Sequence, residues 1–384
     1  MSKRSYLFLA AILSLTLTIA ASAESSSTEV LYVTERFLGT TSLLTYNVDP
    51  ETAVATVVGN PILVGALNVA PLTVGNQNVL YVWNGSQVWV YDTDAQGAPL
   101  GQPVQDLVFN FAKPVKHFVV DPDGKFAYVI LSWAGAGGNS DDVIVLFTID
   151  SSTGQLTNTQ KAAAVYSNLY TELTSFNFGV YGNRMFVGSY DSGPFTCDPG
   201  YDYYNVNQQT GNLGKLTNLM SVSTDCGGSS AAAVSDKLVA AENTCCGIGS
   251  GVLQISSTSN LGEPLITCRA ENAEFCGDDA SGMSFDPASQ NLIFADQDNG
   301  QTYIGHLNVA EGSIVQSPSI VSGMPSTYFS PDGLVLYALY PSAHSLTKTN
   351  IVINAFRPST GGIIASTNLP VKGEAAVTAA TLHQ

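Results

Sequence analysis

The stretch HFVVDPDGKFAYVI, residues 117–130, places two apolar runs on either side of an Asp-Pro-Asp-Gly turn. Proline presets one backbone angle of a tight turn and glycine accepts a positive φ, so this order of residues is typical of a β-hairpin. Its second run centres on an aromatic residue between two apolar ones, Ala127-Tyr128-Val129. The stretch therefore predicts two antiparallel strands and supplies a pattern to look for elsewhere.

The second strand of this hairpin recurs along the chain. Its seven copies read LYV, LYV, AYV, MFV, LVA, IFA and LYA, centred on Tyr32, Tyr81, Tyr128, Phe186, Val239, Phe294 and Tyr337. A period of about 50 residues, filled with short alternating runs and Gly/Asn/Asp/Pro turns, matches the four-stranded blades of a β-propeller. We therefore predict an all-β fold, a seven-bladed β-propeller formed by residues 30–384 as one domain.

The two ends of this domain predict how the ring closes. The first copy begins at Val30 without an inner strand before it, whereas EAAVTAATL at 374–382 follows the last copy and has no strand after it. We expect this C-terminal strand to serve as the inner strand of the first blade. Such pairing satisfies backbone groups that an open sheet edge would leave exposed.

The N-terminus predicts export. Lys3 and Arg4 form a basic start, residues 6–20 are apolar, and residues 21–23 are small, which is the pattern of a signal peptide over 1–23, here followed by a short linker at 24–29. No later apolar run is long enough to span a bilayer. The expected location is secreted or periplasmic, with no membrane span after cleavage; an uncleaved N-terminal anchor is the alternative.

The charge of the chain restricts its partners. The net charge of −17 disfavours nucleic acid, whose phosphates need clustered Lys and Arg. The stretch DQDNGQ from Asp296 begins like a calcium loop but has no acidic residue at the twelfth position, so an ordinary turn is the better interpretation. We expect a monomer without metal or cofactor, whose partner is a polar small molecule or a protein.

Six cysteines in an exported chain are expected to be oxidised. All of them fall in the fourth to sixth blades: Cys197, Cys226, Cys245, Cys246, Cys268 and Cys276. Sequence alone leaves the connectivity open, and we favour the pairs 197–226 and 268–276, with a possible vicinal bond at 245–246. These bonds would brace long loops over one sector of the ring.

The hairpins DPDGKFAYV and SPDGLVLYA, with VIVLFTIDSSTGQL after the first, resemble the repeats of the seven-bladed lactonase-type propellers. That family includes the 6-phosphogluconolactonases and carboxy-muconate cyclases, and the YVTN-repeat proteins are related to it. The resemblance extends over nearly the whole chain from Val30. It implies the propeller fold and a lactonase-like activity, and His117 resembles the histidine that the enzymes carry shortly before the turn of the third blade.

Hairpin geometry predicts where a site would lie. An antiparallel hairpin returns the end of the second strand to the face where the first strand began, so both sets of residues share one rim of the central channel. The first-strand starts are His117 and the small residues Ser175, Gly228, Gly282 and Ser326. The second-strand ends add Glu35, Arg36, Trp83, Asn84, Tyr190, Glu242, Asp296, Asp298 and Tyr340. This mixture suits a polar small-molecule site, although any solvated rim is polar.

Three functions are compatible with these residues. The first is binding of a polar small molecule or protein at the rim, and the third is a structural surface protein. The second is lactone hydrolysis, with His117 as general base, Arg36 stabilising the oxyanion, and Glu35 or Glu242 orienting the imidazole. In that case we expect carboxylates such as Glu35 to move the pKa of His117 upward from about 6.5.

Overall fold

The computed structural model describes the greater part of the chain after residue 27. The described residues are 28–37, 40–49, 52, 54–64, 68–74, 77–109, 115–121, 123–134, 140–166, 171–172, 179–181, 183–191, 200–221, 232–243, 252–269, 280–296, 301–316, 321–322, 326–330, 332–341, 349–371 and 374–383. They form strands and turns, and this part of the chain includes no helix that is long and apolar enough to cross a membrane.

The strands form seven antiparallel sheets, which are the predicted seven blades. Blades 1 and 2 contain β1 (Thr28–Phe37), β2 (Thr40–Val48), β3 (Ala55–Leu63), β4 (Asn68–Val74), β5 (Gln77–Trp83), β6 (Gln87–Asp92) and β7 (Gln105–Val108). Blades 3 and 4 contain β8 (Val115–Val120), β9 (Phe126–Ala134), β10 (Ser140–Ile149), β11 (Leu156–Tyr166), β12 (Thr171–Glu172), β13 (Gly179–Tyr181), β14 (Arg184–Asp191), β15 (Gly200–Val206) and β16 (Leu213–Ser221).

The remaining strands belong to blades 5 to 7 and to the C-terminus. They are β17 (Ala232–Val234), β18 (Leu238–Asn243), β19 (Val252–Ser257), β20 (Asn260–Arg269), β21 (Ala280–Phe285), β22 (Asn291–Asp296), β23 (Gln301–Asn308), β24 (Ser313–Gln316), β25 (Val321–Ser322), β26 (Ser326–Phe329), β27 (Leu336–Pro341), β28 (Thr349–Arg357), β29 (Gly362–Val371) and β30 (Glu374–His383).

In blades 2, 3, 5 and 7 each strand pairs with the next one along the chain, and in blade 6 a further short strand, β25, pairs with β23. Blade 1 differs from these. Its order is β3-β2-β1-β30, with Glu29 opposite Leu382 and Arg36 opposite Glu374. β1 begins at Thr28, two residues before the predicted domain start. Blade 4 also differs, since two short strands, β12 and β13, both pair with β14.

The hydrophobic core lies in layers between neighbouring blades. β30 lies between β26 and β4, β4 neighbours β8, and β8 neighbours β13, as expected for the inner strands of a ring. One layer packs Leu31 and Tyr46 of blade 1 against Tyr337 of blade 7. Another packs Tyr81 of blade 2 against Phe118 of blade 3. Each blade is covered on two sides, so consecutive residues of its second strand are apolar and buried, as in Val30–Val33 and Val79–Val82.

Several of the recurrent tyrosines tie their blade to the next one. Three of their hydroxyls donate to a glycine carbonyl in the outer turn of the following blade: Tyr32 to Gly97 at 2.8 Å, Tyr81 to Gly154 at 2.7 Å, and Tyr128 to Gly211 at 2.9 Å. All three glycines have positive φ angles, between 69° and 81°. We call these contacts the tyrosine links.

Candidate functional site at the central-channel rim

The pairing registers place the start of each inner strand opposite the end of the second strand. Asn68 faces Trp83, Glu172 faces Tyr190, and Ala280 faces Asp296. In blade 1, where β30 is the inner strand, Glu374 faces Arg36. The backbone therefore puts the predicted residues of different blades on one rim of the ring, as hairpin geometry requires.

His117 is the third residue of β8 and lies opposite Ile130, next to a register shift between Val115 and His117. Its side chain is half-buried. Burial, with a smaller contribution from the charge of Lys116, lowers the pKa of His117 from 6.5 to about 4. The expectation that carboxylates move this pKa upward is therefore wrong, because burial removes the water that would stabilise the imidazolium. At neutral pH the imidazole is therefore uncharged, a form in which one ring nitrogen is a donor and the other an acceptor.

Trp83 lies at the end of β5, and its ring is close to Phe118 of blade 3, with 5.4 Å between the ring centroids. Phe118 also contacts Tyr81, so its side chain points towards blade 2. Successive residues of a strand point to opposite faces, which places His117 on the other face of β8. The structure therefore brings Trp83 and His117 to one rim but on opposite sides of β8. The indole nitrogen of Trp83 is buried without a hydrogen-bond partner within the described part of the chain.

Asn84 has a local structural task. Its side-chain oxygen accepts hydrogen bonds from the backbone N–H of Ser86 at 2.7 Å and of Gln87 at 2.9 Å. This asparagine turn connects β5 to β6 at the rim, which is a common use of the residue. The oxygen predicted to bind a ligand is thus already engaged in the turn.

Glu35 lies in β1, opposite Ser42 of β2 and Ala375 of β30, and is half-buried. The pKa of Tyr46 is raised, mainly by burial and secondly by the charge of Glu35. The phenol of Tyr46 is itself buried, and its oxygen has no hydrogen-bond partner in the described structure. Glu35 therefore sits at the border between the rim and the core layer of blade 1.

The other predicted residues are placed only by their backbones. Arg36, Tyr190, Glu242, Asp296 and Tyr340 lie in second strands near their rim ends, and their side chains are outside the description. The described residues also exclude Asp298, Ser175 and Gly228, and only the strand position of Gly282 is described. Their convergence on His117 stays a prediction.

Cys268 lies in β20, opposite Leu253, which in turn lies opposite Glu242. The side chain of Cys268 is disulfide-bonded. This half-cystine therefore belongs to the same cross-strand row as Glu242, close to the rim. The other five cysteines lie outside the described residues, so the predicted pairs stay predictions.

The tyrosine links were not predicted, although their signals are visible in the sequence. Each linking tyrosine occupies the centre of a second-strand repeat, and each acceptor glycine ends an outer turn: DAQG, DSSTG or NQQTG. Recognising the link requires knowing which turn of the next blade meets which strand. That information comes only from the packing of blades in three dimensions.

No family model matches this sequence, and no curated protein matches it. Solved structures with a similar fold do exist. A Bacteroides uniformis protein provisionally assigned as a 6-phosphogluconolactonase has 12% identity and a TM-score of 0.60, covering 93% of this chain and 99% of its own. The periplasmic gluconolactonase of Pseudomonas aeruginosa has 12% identity and a TM-score of 0.60, covering 92% and 99%.

A Bacteroides fragilis protein, also provisionally assigned as a 6-phosphogluconolactonase, has 12% identity and a TM-score of 0.59, covering 94% of this chain and 99% of its own. All three likenesses extend over almost the full length of both chains, while their sequence identity is low. They agree with the seven sheets and with the resemblance seen in the repeat hairpins. The chain therefore has the seven-bladed, lactonase-type β-propeller fold.

Proposed function

We propose that this protein is exported and binds a polar small molecule at the rim that carries His117, Glu35, Arg36 and Glu242. The supporting observation is the half-buried, uncharged imidazole of His117 on an inner strand of the ring. A neutral imidazole offers one donor and one acceptor, which suits the hydroxyl and carbonyl groups of a polar ligand.

Export is supported by two independent features. The first 23 residues have the order of a signal peptide, basic then apolar then small. Cys268 is disulfide-bonded, and structural disulfides persist mainly in oxidising compartments. The proposed location is outside the cytoplasm, either periplasmic or secreted.

Binding is tested by calorimetric titration of the purified protein with gluconate as the first polar probe. We expect His117→Ala to weaken binding about tenfold, the usual effect of losing one or two hydrogen bonds to a ligand. His306→Ala is the matched control, because His306 is also half-buried but its ring is hydrogen-bonded to the side chain of Asn291. Asn291 is the first residue of β22, and the last residue of that strand, Asp296, is the one at the rim. Equal losses in both variants would contradict the rim site.

A second candidate function is hydrolysis of a lactone, and the low pKa of His117 together with the gluconolactonase names of the similar structures favours it. The neutral imidazole would take a proton from water while the hydroxide adds to the lactone carbonyl. The ring C–O bond then breaks, and the leaving alkoxide takes the proton back from the imidazolium. The products are a hydroxy acid and the unchanged histidine.

This candidate is tested with D-glucono-1,5-lactone and a panel of simple lactones, by following the release of acid. Because the pKa of His117 is about 4, we expect the catalysed rate to rise near pH 4 and stay level through pH 6.5. His117→Gln keeps hydrogen-bonding groups but cannot take up a proton, so it should retain gluconate binding and lose hydrolysis. A rate that is the same in His117→Gln and in the unchanged protein would exclude this mechanism.

A further inference from the structure

A groove of about 550 Å³ lies between blades 6 and 7, on the face opposite the His117 rim. Its walls are the β21–β22 turn of blade 6 and two turns of blade 7, β26–β27 and β28–β29. The polar lining includes Gln290, Asp332, Arg357 and Ser359, and the apolar lining includes Leu334 and Ile364. The volume is within the range of small-molecule sites.

The β28–β29 turn departs from the chemistry of the other outer turns. In the other six blades, the residue that opens this turn has a side-chain oxygen that accepts a hydrogen bond from a backbone N–H two or three residues later in the same turn. These residues are Asp49, Asp94, Asp150, Asn207, Ser257 and Asn308. Blade 7 has Arg357 in this position, which offers no acceptor. Its turn is held by the Arg357 carbonyl, which accepts from Thr360 and Gly361.

Within the described part of the chain, Arg357 gains no side-chain partner from this exchange. Its guanidinium makes no ion pair or hydrogen bond within the described residues. The ion pair found among those residues joins Lys125 to Asp123. The side chain is exposed on the wall of the groove. A residue that breaks a local structural rule without an internal compensation marks a place where function is expected.

The two carboxylates of the groove are tied to their own turns. Asp286 is buried, and its Oδ1 accepts from the backbone N–H of Gln290 and Asn291, while its Oδ2 accepts from the side chain of Asn291. Asp332 accepts from Ser330 and from the backbone N–H of Leu334 through one oxygen. Arg357 is the cation on this wall, and the exposed carboxylate of Asp332, with one oxygen engaged in its turn, supplies an opposing charge.

Leu334 adds the second element of recognition. Its side chain is 67% exposed, and Ile364 lines the same groove. From a free guanidinium beside exposed aliphatic surface, we propose that this groove binds a small organic acid, with its carboxylate on Arg357 and its aliphatic body on Leu334 and Ile364. Arginine binds carboxylates through two parallel N–H donors, which fixes the orientation of such a ligand.

This site is separate from the proposed rim site and does not depend on it. The test compares N-acetyl-L-leucine with N-acetyl-L-leucinamide, which has the same shape but no charge, by calorimetry and saturation-transfer NMR on the full-length protein. We expect the acid to bind at least about tenfold more tightly than the amide, and Arg357→Gln to abolish that preference.

Lys125→Gln is the matched control, since Lys125 is an exposed cation on the same face, in the β8–β9 turn, and its loss changes the net charge equally. We expect it to leave binding of the acid unchanged, and Asp332→Asn to strengthen binding about twofold by removing the opposing charge. Equal binding of acid and amide would overturn the proposal. So would loss of binding in Lys125→Gln to the same extent as in Arg357→Gln, because the effect would then belong to net charge.

Discussion

Blades 7, 1, 2 and 3 differ from blades 4, 5 and 6 in how neighbouring blades are connected. The first group has a tyrosine at the centre of each second strand, and each hydroxyl donates to the following blade. The second group has Phe186, Val239 and Phe294 in that position, and it contains all six cysteines. One part of the ring is thus joined by hydrogen bonds, and in the other part the disulfide at Cys268 adds a covalent restraint.

The difference shows that a repeated fold can be stabilised by different means in different repeats. A tyrosine that connects two blades needs an acceptor in the next blade, which is a glycine carbonyl at positive φ in three cases and the Glu29 carboxyl for Tyr337. Two repeats must therefore keep complementary residues. A disulfide needs only two cysteines within reach, and it suits a sector whose rim connections are long. Each of the following predictions challenges this division between the linked blades and the cysteine-bearing blades.

Truncation after Lys372 should have the largest effect, because blade 1 then loses its inner strand β30. We expect loss of the cooperative thermal transition in circular dichroism and a larger hydrodynamic radius, since an unpaired edge is exposed next to blades 7 and 2. Removal of Gln384 alone is the control and should change nothing. A truncated protein with the original melting temperature would show that the linked blades hold together without β30.

Gly211→Ala should cost about 4 kcal/mol of unfolding free energy. Gly211 has φ +70°, and an added Cβ would lie 2.7 Å from the ring of Phe126 and 2.8 Å from Leu146. Gly101→Ala is the control, because Gly101 also has a positive φ, +64°, with open space around it. We expect it to cost only about 1 kcal/mol. Denaturant unfolding measures both; equal losses would mean that backbone strain, and not the close approach of blades 3 and 4, requires the glycine.

Glu29→Gln should remove a pH dependence of stability. Tyr337 donates to Glu29 at 2.6 Å, and burial raises the pKa of this carboxyl from 4.5 to about 7. The unfolded chain loses this proton near pH 4.5 and the folded protein keeps it to about pH 7, so stability should fall by about 3 kcal/mol as the pH rises between these values. Glu29→Gln should abolish that fall.

The measurement is the unfolding free energy from denaturant titrations between pH 4.5 and 8. His117, with its lowered pKa, contributes a slope of opposite sign below pH 6.5, and this contribution cancels in the difference between unchanged protein and variant. Glu263→Gln, at an exposed position, is the control. A Glu29→Gln protein with the original pH dependence would show that the link between blades 7 and 1 does not hold a protonated carboxyl.

Cys268→Ala should cost about 2 kcal/mol under oxidising conditions, through loss of the disulfide restraint on the unfolded chain. With a reducing agent present, the unchanged protein and the variant should have nearly equal stability. Hydrogen exchange should report the change in blade 5 and leave the linked blades protected. A difference that persists in full after reduction would mean that Cys268 acts through packing and not through its disulfide.

Tyr128→Phe should have the smallest effect, about 1.5 kcal/mol, because it leaves the Gly211 carbonyl without its donor. Tyr46→Phe removes the same atom from β2, where the buried hydroxyl has no hydrogen-bond partner within the described residues. We expect this control to cost less than half as much in denaturant unfolding. Equal costs would remove the distinction between hydroxyls that connect blades and those that do not.

The sequence predicts the blades well because their signals are local. Alternation of apolar residues and the turns at Asp121 and Ser330 require only neighbouring residues, and all seven repeat centres lie in second strands. The site is predicted less well because it depends on packing. The burial that lowers the pKa of His117, and the turn that engages Asn84, both depend on how strands approach each other in space.

Arg357 lies between these cases. Its departure from the Asp, Asn or Ser of the other outer turns is visible when RPSTGG is placed beside DSSTG. That the departure coincides with a groove follows only from the packing of blade 6 against blade 7. A comparison of turn residues among repeats is therefore a useful sequence signal for sites in propellers.

The pairing of β1 with β30 also determines the order in which this protein can fold during synthesis. Blades 2 to 7 each consist of one continuous segment and can form as soon as that segment has been made. Blade 1 has to wait for the strand that ends at His383, with an exposed strand edge throughout. Contacts between residues so distant in sequence form slowly, and open edges are templates for mispairing. The interval before ring closure is therefore the period in which a chaperone that covers β1 would do the most to prevent aggregation.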